Sequence, residues 1–357
     1  MIKEGVLFDQ LPNNRARCNV CSHRCNIGED KIGICGTRKN ISGKVHSIIY
    51  NSVSSEAVDP IEKKPLYHFL PGTLSYSLGT IGCNFRCEHC QNWNISQVKL
   101  EGSYTMEITP EEAVRRAKAS GCKSISWTYN EPAIWHEYTY DSAVLAKKAG
   151  LRTVYVTNGY ITPEALQRIS HYLDAYRVDI KSFSESFYRK ICSARLAPVL
   201  ESTRMAKELG MHVEVITLII PGRNDSPEEI RQLVKWMHDN LGENTPIHFT
   251  RFHPMYQMTD MQSTPVEMLE IAHDIAKKEG MRFVYIGNVP GHKYENTYCP
   301  ECNALLIDRT AFTVSEYNIK EGKCPRCGEK IPIISEILIP ANELTGGSHG
   351  EHGRENP

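Results

Sequence analysis

The sequence has no long apolar run, no surplus of either charge and no leader-like start, and each absence removes a class of protein. The longest hydrophobic stretch, Val213 to Ile220, is interrupted by Glu214 and Thr217 and falls far short of the roughly 20 residues that a membrane span needs. Lys and Arg total 41 against 42 Asp and Glu, so there is no basic field for a polyanion, and no nucleic-acid or membrane-surface partner is expected. Met1 to Arg17 carries scattered charges and Pro12 where a secretory signal would need continuous apolar residues. That reading points to a cytoplasmic chain. With 357 residues there is room for two or three domains of roughly 100–200 residues, which excludes a small disulfide-stapled scaffold.

What the sequence has in abundance is cysteine, 13 in all. Four lie at Cys18, Cys21, Cys25 and Cys35, three at Cys83, Cys87 and Cys90, and four at Cys299, Cys302, Cys324 and Cys327, with Cys122 and Cys192 standing alone. In a reducing compartment such clusters hold metals rather than disulfides, because thiolates select zinc and iron–sulfur clusters.

Between the second and third groups, short β-branched or aromatic runs alternate with longer helix-patterned segments, the signature of βαβ units and a parallel sheet. Six strands are expected, at Leu74–Gly79, Ser124–Thr128, Thr153–Thr157, Ala175–Ile180, His212–Ile219 and Ile247–Phe252, with a seventh possible at Arg282–Ile286. Helix starts are written as Thr109-Pro110-Glu111-Glu112, Thr162-Pro163-Glu164, Ser226-Pro227-Glu228-Glu229 and Thr264-Pro265-Val266-Glu267. Each puts a cap residue before Pro, with acids in the first turn. The pattern suits an open doubly wound sheet or a partial (β/α) barrel, and periodicity does not separate the two. In both, ligands sit at the carboxyl ends of the strands, which is where Cys83, Asn130-Glu131, Asn158 and Asp179 with Lys181 fall.

Cys83-Asn84-Phe85-Arg86-Cys87-Glu88-His89-Cys90 spaces three thiols as CxxxCxxC directly after the first strand. Structural zinc and electron-transfer clusters usually take four protein ligands. Three thiolates on a 4Fe-4S cluster leave one iron open to chemistry. The plainer reading is a four-cysteine site completed elsewhere, for instance by Cys122.

The spacing, its place after the first strand and the repeated βα units resemble the radical S-adenosylmethionine (SAM) enzymes. Further motifs resemble the radical enzymes of the AmmeMemoRadiSam system, relatives of the pyruvate formate-lyase activating enzymes: Asp59-Pro60-Ile61-Glu62-Lys63-Lys64-Pro65-Leu66-Tyr67-His68-Phe69, Cys90-Gln91-Asn92, Tyr129-Asn130-Glu131-Pro132 and Gly287-Asn288-Val289-Pro290-Gly291. The resemblance implies a partial (β/α)6 TIM-like barrel in which the open iron binds the amino and carboxylate groups of S-adenosylmethionine. An electron from the cluster then cleaves the sulfonium to methionine and a 5′-deoxyadenosyl radical, which abstracts a hydrogen atom from a substrate. It further implies that Glu131 binds the methionine ammonium, that Asn158 binds the ribose or carboxylate, and that Lys181, in an Asp-x-Lys pair with Asp179, meets the methionine carboxylate. His253 and Asn288 in the Gly287–Gly291 loop are weaker candidates for the nucleoside. An electron donor such as ferredoxin or flavodoxin, and Memo-type and AMMECR-type proteins, are the partners it suggests.

Two departures stand out. His89 occupies the place of the usual aromatic residue before the third cysteine, and Val156 stands where glycyl-radical activators place an Asp before Thr-Asn-Gly. The second argues against an activase that installs a glycyl radical on a partner, which otherwise stays open through kinship. A reading from another class is an iron–sulfur or zinc scaffold without turnover, which would have no need of Glu131 or Lys181.

In the C-terminal group, Cys299-Pro300-Glu301-Cys302 and Cys324-Pro325-Arg326-Cys327 read as two facing zinc knuckles on a small ribbon, with a second cluster as the alternative. The N-terminal Cys18, Cys21, Cys25 and Cys35 suit zinc or an auxiliary 4Fe-4S cluster. His23 is a possible substitute ligand, and the frequency of structural four-ligand sites tilts the choice toward zinc. A lone cysteine is usually a small buried hydrophobe, the reading given to Cys122 and Cys192, although Cys192 follows the fourth strand and a hydrogen-donor role near the site is its alternative. The expected organisation is a cysteine-rich module with a hairpin at Ser42-Gly43 (1–58), the barrel (59–291), a zinc-ribbon module (292–340) and a disordered tail (341–357).

Overall fold

The alternating pattern forms one eight-stranded sheet whose strands lie side by side in chain order: β1 (Ser55–Pro60), β2 (Leu74–Gly79), β3 (Ser124–Trp127), β4 (Arg152–Thr157), β5 (Ala175–Asp179), β6 (His212–Ile219), β7 (Ile247–Arg251) and β8 (Val284–Gly287). The computed structural model describes residues 2–335, so the expected tail at 341–357, and 336–340 of the last module, lie outside the described residues. Strands β2 to β8 are parallel, while β1 runs antiparallel on β2. Helices α1 (Pro110–Ala119), α2 (His136–Lys148), α3 (Pro163–Ile169), α4 (Leu196–Glu208), α5 (Pro227–Leu241) and α6 (Val266–Lys278) carry the six crossovers. The architecture is a partial α/β barrel.

Three details differ from the sequence expectation. The seventh parallel strand is formed, but at Val284–Gly287 rather than from Arg282. The antiparallel β1 was not anticipated, because Ser55–Pro60 is mostly half-exposed and lacks an apolar alternation; it straddles the boundary drawn between 58 and 59. Thr109, Thr162 and Ser226 cap their helices through their hydroxyls, whereas Thr264 does not. Its hydroxyl accepts from Phe252 N (2.9 Å) and donates to Ile219 O (2.6 Å), and the helix starts at Val266 behind Pro265.

The sheet is buried on both faces, as parallel sheets are, and the two faces differ. Tyr76, Leu78, Ile125, Trp127, Tyr155, Tyr176 and Val178 join the core under the helices. Alternation sends Ser77, Ser126, Val156, Arg177, Asp179 and Glu214 to the barrel interior. The interior floor is plugged by the segment that follows β1. Ile61, Leu66, Phe69 and Leu70 pack on Val154, Ala175 and Val156, and Tyr67 and His68 donate backbone N–H groups to Glu214 (3.0 and 2.8 Å). Glu214 also faces His212 (2.9 Å) and His248 (2.7 Å), which satisfies a carboxylate with no solvent contact.

The C-terminal module is an antiparallel ribbon of Thr297–Tyr298, Leu305–Thr310 and Thr313–Tyr317. Its Arg309 is fully buried, donates to Tyr67 O (2.9 Å) and Thr297 Oγ1 (2.7 Å), and lies 3.8 Å from Glu62. The ribbon thus braces the plug from below, on the side opposite the strand ends that carry the polar cluster. At the other end of the chain, Arg38–Ile41 and Lys44–Ser47 pair through Ser42 (φ 51°) and Gly43 (φ 80°), the two left-handed residues of a tight hairpin. Arg38 of that hairpin forms a buried ion pair with Glu137 of α2 at 2.8 Å.

Candidate active site

The loop leaving β2 carries Cys83, Cys87 and Cys90, and its shape is set by close contacts on every side. Gly82 has φ +88°, and a Cβ there would lie 2.5 Å from the Cys35 carbonyl oxygen, so only glycine fits. Asn130, after β3, donates to Gly82 O (2.7 Å) and accepts from Thr80 N (3.2 Å). On the far side, Arg86 N and Glu88 N donate to Cys192 O (2.9 Å) and Ile191 O (3.1 Å), in a π-helical turn at Tyr188–Cys192. Such turns often mark functional sites.

Among the described residues, the only group of three or more Cys, His, Asp or Glu ligand atoms that all lie within 4.8 Å of one another is the C-terminal one. Cys83, Cys87 and Cys90 are therefore spread more widely than thiolates around one ion, as a multi-iron cluster requires. Beside them, Asn84 Nδ2 and His89 Nδ1 are buried without a partner, an exception that asks for an unseen group. Burial, then the charge of Glu131, pushes the Cys83 thiol well up. The hydrogen bond with Cys192, then burial, does the same for Cys87. Thiolates here need a strong positive charge beside them, which iron would supply. His89 keeps an aromatic ring at its place: burial, then Lys181, holds it neutral, down to about 3.

Glu131, Asn158, Asp179 and Lys181 stand at the ends of β3, β4 and β5, next to that loop. Glu131 is fully buried. Its Oε1 accepts from Ala133 N (2.9 Å) and Thr157 Oγ1 (2.7 Å), and its Oε2 accepts from Asn158 N (2.8 Å) and keeps a lone pair free. Burial raises its pKa to about 7 against these hydrogen bonds. Asn158 Nδ2 donates to Asn84 Oδ1 (2.8 Å) and points at Cys83 Sγ (3.8 Å), which ties the β4 end to the cysteine loop. Asp179 pairs with Arg177 (2.7 Å) and Lys181 (3.1 Å). Burial would lower the Lys181 amine, but Asp179, then Cys87 and Cys192, outweigh it and hold the lysine charged.

His253 and Asn288 lie apart, at the ends of β7 and β8. His253 is exposed and bonded to Ser263 (3.2 Å), and Asn288 is exposed and bonded to Arg251 O (3.1 Å). Among the described residues neither bonds to the β3–β5 group. Residues that the sequence reading did not single out also belong here. Thr157, Arg177 and Asn84 fix the polar group, and Cys192, read mainly as a packing residue, shares a hydrogen bond with Cys87. Alternation along β5 places Arg177 and Asp179 on one face, a signal available for the arginine. Val156 is packed against the plug, so that point of the interior carries an apolar contact. Cys122 is buried in the helix-side core, away from any thiol group.

In the C-terminal module, Cys299 to Cys327 and Cys302 to Cys324 sulfur distances are 3.5 and 3.6 Å. Thiolates sharing one tetrahedral ion with metal–sulfur bonds near 2.3 Å would be about 3.8 Å apart, so these four can hold a single metal ion. In the N-terminal module, Cys18, Cys21, Cys25 and Cys35 line one cavity but are more widely spread. His23, considered as a substitute ligand, turns Nε2 to Asn84 O (2.7 Å).

A parallel partial barrel with three thiols after its first parallel strand, and polar residues at the following strand ends, defines a cofactor-binding enzyme site. Residues 78–237 match the radical SAM superfamily. The uncharacterized protein MJ0808 of Methanocaldococcus jannaschii is 46% identical over 335 residues, covering 93% of this chain and all of that one. The pyruvate formate-lyase-activating enzyme of Clostridium pasteurianum is 25% identical over 163 residues, covering 43% of this chain and 64% of the relative. Among solved structures, Streptococcus suis SuiB bound to S-adenosylmethionine aligns over 64% of this chain and 55% of that one, at 14% identity and a TM-score of 0.48. The chain belongs to the radical SAM superfamily and is related to the pyruvate formate-lyase activating enzymes. Membership implies a 4Fe-4S cluster and S-adenosylmethionine, and among the described residues no helix is long and apolar enough to cross a membrane.

Proposed function

We propose that this chain is a radical SAM enzyme that cleaves S-adenosylmethionine reductively and abstracts a hydrogen atom from its substrate, with Cys83, Cys87 and Cys90 holding the cluster. The observation that carries the reading is the company these thiols keep: a spread too wide for one ion, two orphaned buried polar atoms, and a charged group at the neighbouring strand ends. When bound, the cluster and S-adenosylmethionine supply a one-electron cleavage that yields methionine and a 5′-deoxyadenosyl radical. The chain's own residues orient that cofactor. Glu131 Oε2 offers its free lone pair to an N–H of the methionine amino group, a bond to a carboxylate in a dry setting. Lys181, held charged by Asp179, meets the methionine carboxylate, and Asn158 contacts the ribose or carboxylate. His253 and Asn288, on the exposed far strand ends, are assigned to the nucleoside side. The C-terminal four cysteines hold zinc, consistent with their close sulfur spacing, and a ferredoxin- or flavodoxin-type protein supplies electrons.

A glycyl-radical activase is the second reading, favoured by the names of relatives such as the 4-hydroxyphenylacetate decarboxylase activating enzyme of Clostridioides difficile, 21% identical over 243 residues. Val156 weighs against it. The test is 5′-deoxyadenosine formation by anaerobic, reduced, reconstituted protein beside a Cys83/Cys87/Cys90→Ala control. Product from the wild type alone supports the proposal, and a rate raised by a Memo-type or AMMECR-type protein would identify a partner. A full cluster with no product, whatever partner or donor is added, would leave the scaffold reading in its place.

A further inference from the structure

The N-terminal thiols differ from the C-terminal ones in a way that the count of four conceals. Cys18, Cys21, Cys25 and Cys35 form no disulfide and line a single cavity, three of them buried and Cys25 half-buried. Yet no three of their sulfur atoms lie within 4.8 Å of one another, whereas all four C-terminal sulfurs do. The same chain thus holds a compact four-thiol site and an expanded one. A tetrahedral ion needs the compact kind, with sulfurs about 3.8 Å apart for a 2.3 Å bond. A cubane puts each thiolate on a different iron, at a different corner, and needs the expanded kind.

Two further observations fit a redox group. Arg38 lines the same cavity, with its charge acting on Cys18 and Cys35, so a buried guanidinium faces the thiols. Its own counter-charge, Glu137, is 2.8 Å away. The cavity is also built against the Cys83 loop. The Cys35 carbonyl fills the space where a Gly82 side chain would be, Arg86 reaches Ile34 O and Cys83 O, the latter at 2.7 Å, and His23 meets Asn84 O at 2.7 Å. Residues next to the N-terminal thiols therefore touch the residues on both sides of Cys83. With four protein ligands no iron is open to substrate, and the contacts with the Cys83 loop point to electron transfer as the role.

We propose that Cys18, Cys21, Cys25 and Cys35 ligate a second 4Fe-4S cluster, which passes single electrons to the cluster at Cys83, Cys87 and Cys90. A one-electron protein donor loses one electron, the N-terminal core is reduced by one, and the same electron then reduces the neighbouring core; no bond or proton is exchanged in the relay. The relay rests on the function proposed above. The metal site does not.

The experiment is iron, sulfide and zinc analysis of anaerobically reconstituted full-length protein, with electron paramagnetic resonance after reduction. The wild type is expected to carry about eight irons, and the Cys83/Cys87/Cys90→Ala protein about four, with a reduced-cluster signal that S-adenosylmethionine does not change. About four irons in the wild type and none in that variant, with two zinc ions in each, would overturn the site. This variant leaves the N-terminal ligands intact, so its iron content is informative even if the wild type never cleaves S-adenosylmethionine. For the relay, Cys35→Ser is expected to slow 5′-deoxyadenosine formation at least tenfold with a ferredoxin- or flavodoxin-type donor, and much less with titanium(III) citrate. Equal slowing with both reductants would overturn the relay and leave the site standing.

Discussion

Glu131 is a carboxylate that burial holds near neutral pH, and this makes its role measurable. A rise from 4.5 to about 7 corresponds to about 3 kcal/mol of disfavour for the charged form at 1.36 kcal/mol per unit. Without ligand, the folded protein binds a proton here that the unfolded chain releases, so the contribution to stability is full below about 4.5 and is lost as pH rises through about 7. A ligand amino group that donates an N–H to Oε2 reverses the preference, because the ionised carboxylate is the better acceptor. With a pKa of about 7, the ionised fraction falls about tenfold between pH 8 and pH 6, and S-adenosylmethionine should bind about tenfold more weakly at pH 6. Glu131→Gln should make that pH dependence shallower, leaving only the titration of the ligand's own amino group, and weaken binding at pH 8 by about tenfold to a hundredfold, the worth of a lost charge-assisted bond. The assay is calorimetric titration of the anaerobic, cluster-loaded protein at both pH values, with thermal unfolding of the ligand-free protein as control. A wild-type affinity that does not change with pH, or a slope as steep in Glu131→Gln as in the wild type, would refute the reasoning.

Three other outcomes follow from the packing. Arg309→Met leaves Glu62 buried without its nearest cation and should cost about 3 kcal/mol, read as a lowered midpoint in thermal denaturation. The loss should be smaller in acid, since burial raises Glu62 above its ordinary value and a protonated Glu62 needs no partner. Cys302→Ser should remove one zinc per chain and leave the iron count unchanged; a fall in iron instead would make the C-terminal site a cluster. Gly82→Ala forces a side chain into φ +88° and against the Cys35 carbonyl, so it should destabilise by about 1–3 kcal/mol or more. Gly102→Ala, also at positive φ but with open space around it, isolates the cost of the backbone conformation in the same melting experiment.

How far the sequence reached depended on whether the information was local. Strand ends, helix caps and the CxxxCxxC spacing are short-range patterns, and six strands and three of four caps fall where they were read. Thr264 failed as a cap because a distant strand, through Ile219 O, claimed its hydroxyl. The Asp59–Phe69 motif was recognisable only as a resemblance; its physical task is to plug the barrel floor and meet Glu214, across about 150 residues of chain. Alternation along the strand puts Arg177 on the same face as Asp179, and the sheet adds that this face is the barrel interior, where the two form an ion pair. Cysteine spacing exposes the limit most clearly. Cys18–Cys35 and Cys299–Cys327 each offer four thiols in a small β module, and counting cannot tell one ion from four irons. The separation of the sulfurs distinguishes a compact site from an expanded one, because it is fixed by what the module packs against. The C-terminal ribbon closes on itself around a compact site, while the N-terminal loops are held open between Arg38, Tyr160 and the Cys83 loop. A site held open by the very loop that carries the radical-SAM thiols is best explained by a function shared with that loop, and this is why electron transfer, rather than structural bracing, is assigned to the N-terminal module.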